Sequence, residues 1–328
     1  MFQVGLHLTA NNNKYIELKN RLIRNLENPE IFNFIQLCSV NDIKNNIDKL
    51  NILHCYEIKP DFFDCDTSQL KWIQIGAAGI ENSLFKEVLK SKIIITNASG
   101  IHAGPVSEYV MGVILYFSKM IKEFEVFKDN KQWSQWDIAK KITELKYQTI
   151  GIIGYGSIGK AIAKKAKAFG MEVIATRRLQ KKIDSNKFVN QLLPLADLKI
   201  LLKSSDYVVI ACPLTPLSMR LITLKELKLM KRTAKIINIA RGKIIKQNDL
   251  IEALQNKIIS GAALDVFEQE PLEKSSKLFD LDNVLLSPHI SGNYPDYQKD
   301  MIDQFADNLN KFALGKTLKN RVCKKRLY

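Results

Sequence analysis

The stretch Thr149 to Arg178, TIGIIGYGSIGKAIAKKAKAFGMEVIATRR, constrains this chain more than any other, because a strand, a glycine turn, an amphipathic helix and a second strand follow one another there. It reads as one βαβ unit. Ile150, Ile152 and Ile153 are short-range, β-branched and apolar, as suits a strand buried on both faces of a parallel sheet. Gly154, Gly156 and Gly159 follow at G-x-G-x-x-G spacing: the first for the tight turn, the second for approach of a pyrophosphate, the third for close packing of helix on strand. The amides of Ser157 and Ile158 then face the phosphates. Ile158, Ala161, Ile162, Ala166 and Phe169 recur at helical spacing, so the helix lays an apolar face on the sheet and aims its positive N-terminus at the anion. Gly170 closes the helix. Strand and helix flank the glycines where dinucleotide binding demands them.

The acidic residue expected at the end of the second strand, where it would accept from the adenine ribose hydroxyls, is absent. Arg177 and Arg178 stand there. A guanidinium at that place accommodates a 2′-phosphate, so the sequence favours NADP over NAD; the competing reading is a solvated basic strand end.

At 328 residues with 46% hydrophobic content, the chain is long enough for two domains with a packed core each. Its N-terminus, MFQVGLHLTA, has no basic leader pattern, and the longest apolar run, near Val113 to Phe117, is too short to span a bilayer. A cytoplasmic protein is expected. Cys38, Cys55, Cys65, Cys212 and Cys323 form no C-x-x-C pair and no metal-like spacing with the histidines, which fits a reducing compartment. The net charge of +15 comes mostly from scattered lysines without an aromatic stripe. That pattern favours a solvated surface over nucleic acid or an anionic membrane.

From residue 1 to about 98, the runs Phe2 to Leu8, Ile52 to Tyr56, Trp72 to Ile75 and Ile93 to Thr96 read as strands of a small α/β layer domain. The loop Gly76-Ala77-Ala78-Gly79 carries little side chain; it is either an anion-binding turn or an ordinary βα connection. A long helix is expected over Pro105 to about Lys128. Trp133 and Trp136, in the polar stretch Lys131 to Glu144, belong either to an arm that reaches a second subunit or to the core. Beyond Arg178, Tyr207 to Ala211, Lys235 to Ile239, Ile259 to Val266 and Val284 to Leu286 read as strands alternating with helices, a doubly wound parallel sheet. A last helix runs through Met301, Phe305, Leu309 and Phe312.

Ligands of such sheets lie beyond the carboxyl ends of the strands. Arg241 follows KIINIA, Glu270 follows GAALDV and His289 follows VLLSP. Arg241 can clamp a carboxylate and polarise an adjacent keto oxygen through paired donors. His289 can give or take a proton, and Glu270 can hold the imidazole in orientation. Asp265 either accepts from a nicotinamide carboxamide, the favoured reading, or caps its strand. His7, His54 and His102 lack such company and read as structural.

The ordered motifs GYGSIG, CPLTPLSMRLI, INIARG, GAALDVFEQEPL and SPHISG make the chain resemble the D-isomer-specific 2-hydroxyacid dehydrogenase family over most of its length. The resemblance implies Arg241, Glu270 and His289 as the catalytic trio, the amides of Ala78 and Gly79 as carboxylate binders, and Leu214, Thr215, Ala240 and Asp265 near the nicotinamide. It implies a flavodoxin-like substrate domain of residues 1–98 and 293–328, a Rossmann-like cofactor domain of 99–292, hinges near Ala98 to Ile101 and His289 to Gly292, and a homodimer formed through the cofactor domains. Arg177 makes it look like the NADP-using glyoxylate and hydroxypyruvate reductases. Glu270 separates it from formate dehydrogenases, and the short tail after the last helix argues against an appended regulatory domain. The alternative from another class is a cofactor-sensing protein, because the family also contains transcriptional corepressors.

Overall fold

Alternating apolar runs and helices dictate parallel sheets covered on both faces, and the computed structural model, which describes residues 1–328, contains two. The chain divides into one unit of Met1–Ile101 with Tyr294–Tyr328 and another of His102–Asn293. The divisions fall at 101/102 and 293/294, against the expected 98/99 and 292/293.

In the first unit β1 (Phe2–Leu6), β2 (Phe32–Gln36), β3 (Ile52–Cys55), β4 (Trp72–Ile75) and β5 (Ile94–Asn97) form a parallel sheet of order β2-β1-β3-β4-β5. This is the flavodoxin-like order. Side chains alternate between two apolar layers: Ile52 and Trp72 enter one, Leu53 and Ile73 the other. The sequence reading missed β2, an edge strand (FNFIQ) whose only fully buried residue is Phe32. The helix Tyr297–Ala313 returns to this unit and buries Met301, Ile302, Phe305, Ala306 and Leu309. Arg21 grips Asp303 through two bonds of 2.7 and 2.6 Å. Both side chains are about two-fifths exposed, at 40% and 38%, so solvent screens the pair, which sets register more than it stabilises. The buried side chains, at roughly 2 kcal/mol each, hold the helix.

In the second unit β6 (Thr149–Ile153), β7 (Glu172–Arg177), β8 (Asp184–Asn186), β9 (Val189–Pro194), β10 (Tyr207–Ile210), β11 (Lys235–Asn238), β12 (Gly261–Leu264) and β13 (Val284–Leu286) form a sheet of order β13-β12-β11-β10-β6-β7-β9-β8. All neighbours are parallel except β8 with β9. The chain winds outward from β6 through β7 and then returns to β10, so the switch point lies between β6 and β10. The β8–β9 hairpin went unread because β8 is Asp-Ser-Asn, wholly exposed.

The long helix expected from Pro105 to Lys128 is two, Ala103–Ser118 and Ile121–Asn130, broken where Met120 takes a left-handed φ of 56°. The strand expected over Ile259 to Val266 is shortened to β12. Trp133 and Trp136 are 79% and 71% exposed, which removes core burial within the chain as their role. No helix is long and apolar enough to cross a membrane.

Candidate active site

The glycine turn lies at the switch point, and its three glycines answer to three different constraints. Gly154 has a φ of 105°, and a Cβ there would sit 2.6 Å from the Cys212 backbone nitrogen just past β10. A Cβ on Gly156 would meet nothing within 4 Å, so the space in front of that residue is open for a ligand. A Cβ on Gly159 would collide with the Gly154 carbonyl. The helix Ser157–Ala168 starts here, and the amides of Ser157, Ile158 and Gly159 in its first turn have no helical acceptor. These features fit a dinucleotide pyrophosphate. Arg177 ends β7 and Arg178 follows, both exposed, and the Arg177 guanidinium meets no acceptor within the chain.

On the other side of the switch point, Leu214 and Thr215 follow β10. Thr215 is 8% exposed, and the Ser218 hydroxyl accepts from its amide at 2.8 Å while donating to the Pro213 carbonyl at 2.7 Å. The segment is thereby fixed as a tight turn.

Arg241, Glu270 and His289 stand beyond the carboxyl ends of the three neighbouring strands β11, β12 and β13. Glu270 and His289 meet directly, with His289 Nδ1 2.7 Å from Glu270 Oε2. The other carboxylate oxygen accepts from the Phe267 amide at 2.9 Å. Nδ1 facing a carboxylate is the donor, so the partnerless Nε2 is the atom presented to a substrate. Half of the imidazole is exposed. Arg241 follows Ala240 in a loop tied by Asn238: its Nδ2 donates to the Arg241 carbonyl at 3.0 Å, and its Oδ1 accepts from the Ala240 amide at 3.1 Å. One Arg241 nitrogen donates to the Ala240 carbonyl at 2.7 Å. A Cβ on Gly242 would overlap the Phe267 backbone, so the loop bearing Arg241 packs against the one bearing Glu270.

Asp265 explains why His289 holds its place. It is 1% exposed, and its carboxylate accepts from the Ser287 hydroxyl at 2.5 Å and from the amides of Ile290 and Ser291 at 2.9 and 3.0 Å. Its carbonyl accepts from the His289 amide at 2.9 Å. His289 itself has a left-handed φ of 55°, an uncommon conformation for an L-residue, and these bonds hold it there. The strand-end anchoring read as the lesser alternative is thus what the geometry displays, while the Oδ2 atom retains acceptor capacity. Tyr109 lies 2.7 Å from the Ser287 hydroxyl and extends the network. Sequence reasoning missed Asn238, Ser287 and Tyr109. Asn238 left a signal, a polar residue closing a buried parallel strand; the other two left none.

His102 has a structural contact: its Nδ1 donates to the Gly292 carbonyl at 3.0 Å. Burial lowers its pKa against the effect of that bond, and the nearby Arg241 charge lowers it further.

In the first unit, the loop Gly76 to Gly79 follows β4. The carbonyls of Ala77 and Ala78 accept from the Ala98 amide at 3.1 Å and from Asn97 Nδ2 at 2.7 Å, and the amides of Ala78 and Gly79 have no acceptor within the unit. Open amides in succession suit an anion.

A glycine turn at the switch point of a doubly wound sheet, with an Arg, a Glu–His pair and a buried Asp beyond adjacent strand ends, defines a nicotinamide-nucleotide dehydrogenase. Residues 111–291 match the family model for the D-isomer specific 2-hydroxyacid dehydrogenase NAD-binding domain. The chain belongs to the D-isomer specific 2-hydroxyacid dehydrogenase family and is an NAD(P)-dependent oxidoreductase. It is 35% identical over 284 residues to a glyoxylate reductase of Thermococcus onnurineus (strain NA1), covering 84% of each chain. It is 35% identical over 283 residues to that of Pyrococcus horikoshii, covering 84% of this chain and 83% of the other. Among solved structures, a family protein from Aeromonas salmonicida subsp. salmonicida A449 matches with a TM-score of 0.81 at 26% identity over 98% of this chain and 99% of the other. An NADPH-dependent glyoxylate/hydroxypyruvate reductase from Sinorhizobium meliloti shares the fold with a TM-score of 0.82 at 22% identity over 100% of both chains.

Proposed function

We propose that this chain is an NADP-preferring reductase of small 2-keto acids of the glyoxylate and hydroxypyruvate class, forming D-2-hydroxy acids. The observation that carries the reading is the 2.7 Å pair of His289 Nδ1 and Glu270 with Nε2 left open. The hydride would come from NADPH when it is bound. His289 Nε2 gives the proton to the keto oxygen, and Glu270 holds the ring in the tautomer and orientation that present Nε2. Arg241 polarises the keto oxygen and binds the carboxylate, for which the amides of Ala78 and Gly79 are further donors. Gly154, Gly156, Ser157, Ile158 and Gly159 hold the pyrophosphate, Arg177 and Arg178 the 2′-phosphate, and Leu214, Thr215, Ala240 and Asp265 border the nicotinamide.

The unit of residues 1–101 and 294–328 serves as substrate domain and that of 102–293 as cofactor domain in this reading. The exposed Phe124, Val126, Trp133 and Trp136 support a homodimer, since an apolar arm of this kind calls for a protein partner. Five free cysteines accord with the cytoplasm. The cofactor-sensing alternative has no observation of its own in its favour.

The test is the initial rate of NADPH and, separately, NADH oxidation by the purified chain against glyoxylate, hydroxypyruvate, pyruvate and longer 2-keto acids. Faster turnover with NADPH on the small acids is expected. Turnover with neither cofactor, despite cofactor binding, would remove the reading.

A further inference from the structure

Two side chains of the first unit, Asn97 and Tyr297, govern how the loop after β4 presents its amides. Within a planar trans peptide the carbonyl and the following N–H point in opposite directions. A carbonyl fixed on one side of a loop therefore fixes the next residue's amide on the other. Three successive carbonyls are fixed in this way: Gly76 accepts from the Tyr297 hydroxyl, Ala77 from the Ala98 amide at 3.1 Å, and Ala78 from Asn97 Nδ2 at 2.7 Å. The amides sharing those planes belong to Ala77, Ala78 and Gly79, and none donates within the unit. The amide of Gly76, one plane earlier, is already engaged by the Cys55 carbonyl at 2.8 Å, which closes the array at that end.

We propose that Asn97 and Tyr297 are positioning residues that hold Ala77, Ala78 and Gly79 as a three-amide nest for the substrate carboxylate; the identity of the anion rests on the keto-acid reading above. Ala77 is thereby a donor beyond the Ala78 and Gly79 pair. The two side chains are themselves anchored. Asn97 is 9% exposed at the end of β5, and its Oδ1 accepts from the Ser99 amide at 3.3 Å, which orients Nδ2 towards the loop. Tyr297 opens the helix whose Met301 and Phe305 are fully buried, so its ring is carried on a rigid element. Burial, and then the neighbouring Tyr56, push the Tyr297 phenol up to about 12, so it remains a donor across the neutral range. Without the Tyr297 bond the plane next to Gly76 is free to turn, and without the Asn97 bond the plane next to Gly79, so the nest has to be ordered at each binding event.

The experiment uses the purified chain and the variants Asn97→Ala, Asn97→Asp and Tyr297→Phe. Glyoxylate KM and kcat, the Ki of oxalate as a non-reacting carboxylate, the Kd of NADPH and the thermal midpoint are read for each. Each variant is expected to raise glyoxylate KM and oxalate Ki about tenfold while kcat stays within about threefold and NADPH Kd is unchanged. Asn97→Asp behaves like the alanine variant, because an ionised carboxylate has no proton to donate to the Ala78 carbonyl. Unchanged KM and Ki in folded variants overturn the proposal, as does a parallel loss of NADPH affinity, which marks a general structural role. Absence of wild-type turnover on every 2-keto acid removes the functional reading separately. The nest is then decided by oxalate binding, followed as a thermal shift that the variants should lose.

Discussion

His289 and His54 carry the same side chain on two parallel sheets and have opposite fates. His289 stands beyond the end of β13 with a left-handed backbone, half exposed, one ring nitrogen on Glu270 and the other open. His54 lies inside the central strand β3, flanked in register by Leu6 and Gln74, fully buried, with neither ring nitrogen hydrogen-bonded. Phe305 and Tyr56 pack on its ring at 5.1 and 6.1 Å. Burial pushes its pKa down to about 4. An unpartnered polar atom therefore has two meanings: at a strand end facing solvent it is a ligand's place, and inside a strand it is a cost of packing. Each of four substitutions separates these meanings.

His289→Ala should lower kcat about a thousandfold, the usual range for a positioned general acid, with NADPH affinity within about twofold of wild type. A kcat near wild type would place the proton donor elsewhere and break the comparison at its stronger end.

Arg177 extends the contrast to a guanidinium with no partner in the chain. Arg177→Ser should raise the KM for NADPH by about thirtyfold and leave that for NADH nearly unchanged, because only the former carries the 2′-phosphate. Equal changes for both cofactors would make this arginine a solvated strand end.

Ser287→Ala probes what holds His289 in its left-handed conformation. It removes one of three donors to Asp265, and the Ile290 and Ser291 amides remain, so kcat should fall only about fivefold. A loss as large as that of His289→Ala would mean that the hydroxyl, and not the two amides, fixes the loop.

How much of this was legible follows the same division between side chains and backbone. The glycine unit, both sheets and the Arg241, Glu270 and His289 positions could be read, because apolar periodicity and strand-end chemistry are written in residue types. The Gly76 to Gly79 loop could not be resolved that way: Gly-Ala-Ala-Gly names no donor, and its amides are open only because Asn97, Ala98 and Tyr297 hold the carbonyls. β8 was missed because Asp-Ser-Asn has no apolar residue to announce it, and β2 because its apolar signal, Phe32, Phe34 and Ile35, is short and only Phe32 is buried. The break at Met120 depends on a left-handed residue that no glycine marks, so one helix was read where two exist. Asp265 was identified by position, but its grip on the His289 loop needs three partners from a segment more than twenty residues away, which spacing alone cannot supply.

The smallest effect on turnover belongs to His54→Leu, for which kcat should not change. Its consequence is on stability. The buried imidazole leaves two nitrogens without hydrogen bonds, so replacing it with an apolar side chain of similar bulk should raise unfolding free energy at pH 7 by about 1 kcal/mol. The pH dependence is more telling. The folded-state pKa of about 4 lies below the ordinary value of 6.5, so the unfolded chain binds the proton more readily between those two pH values. Stability from this group is therefore complete above pH 6.5 and lost as pH falls towards 4, a loss of about 2 kcal/mol by pH 5. Urea unfolding at pH 7.5 and pH 5 should show this acid-side loss in the wild type and its reduction by about that amount in His54→Leu. Equal losses in both proteins would mean that His54 finds a proton-tolerant partner when folded, and the contrast with His289 would narrow to exposure alone.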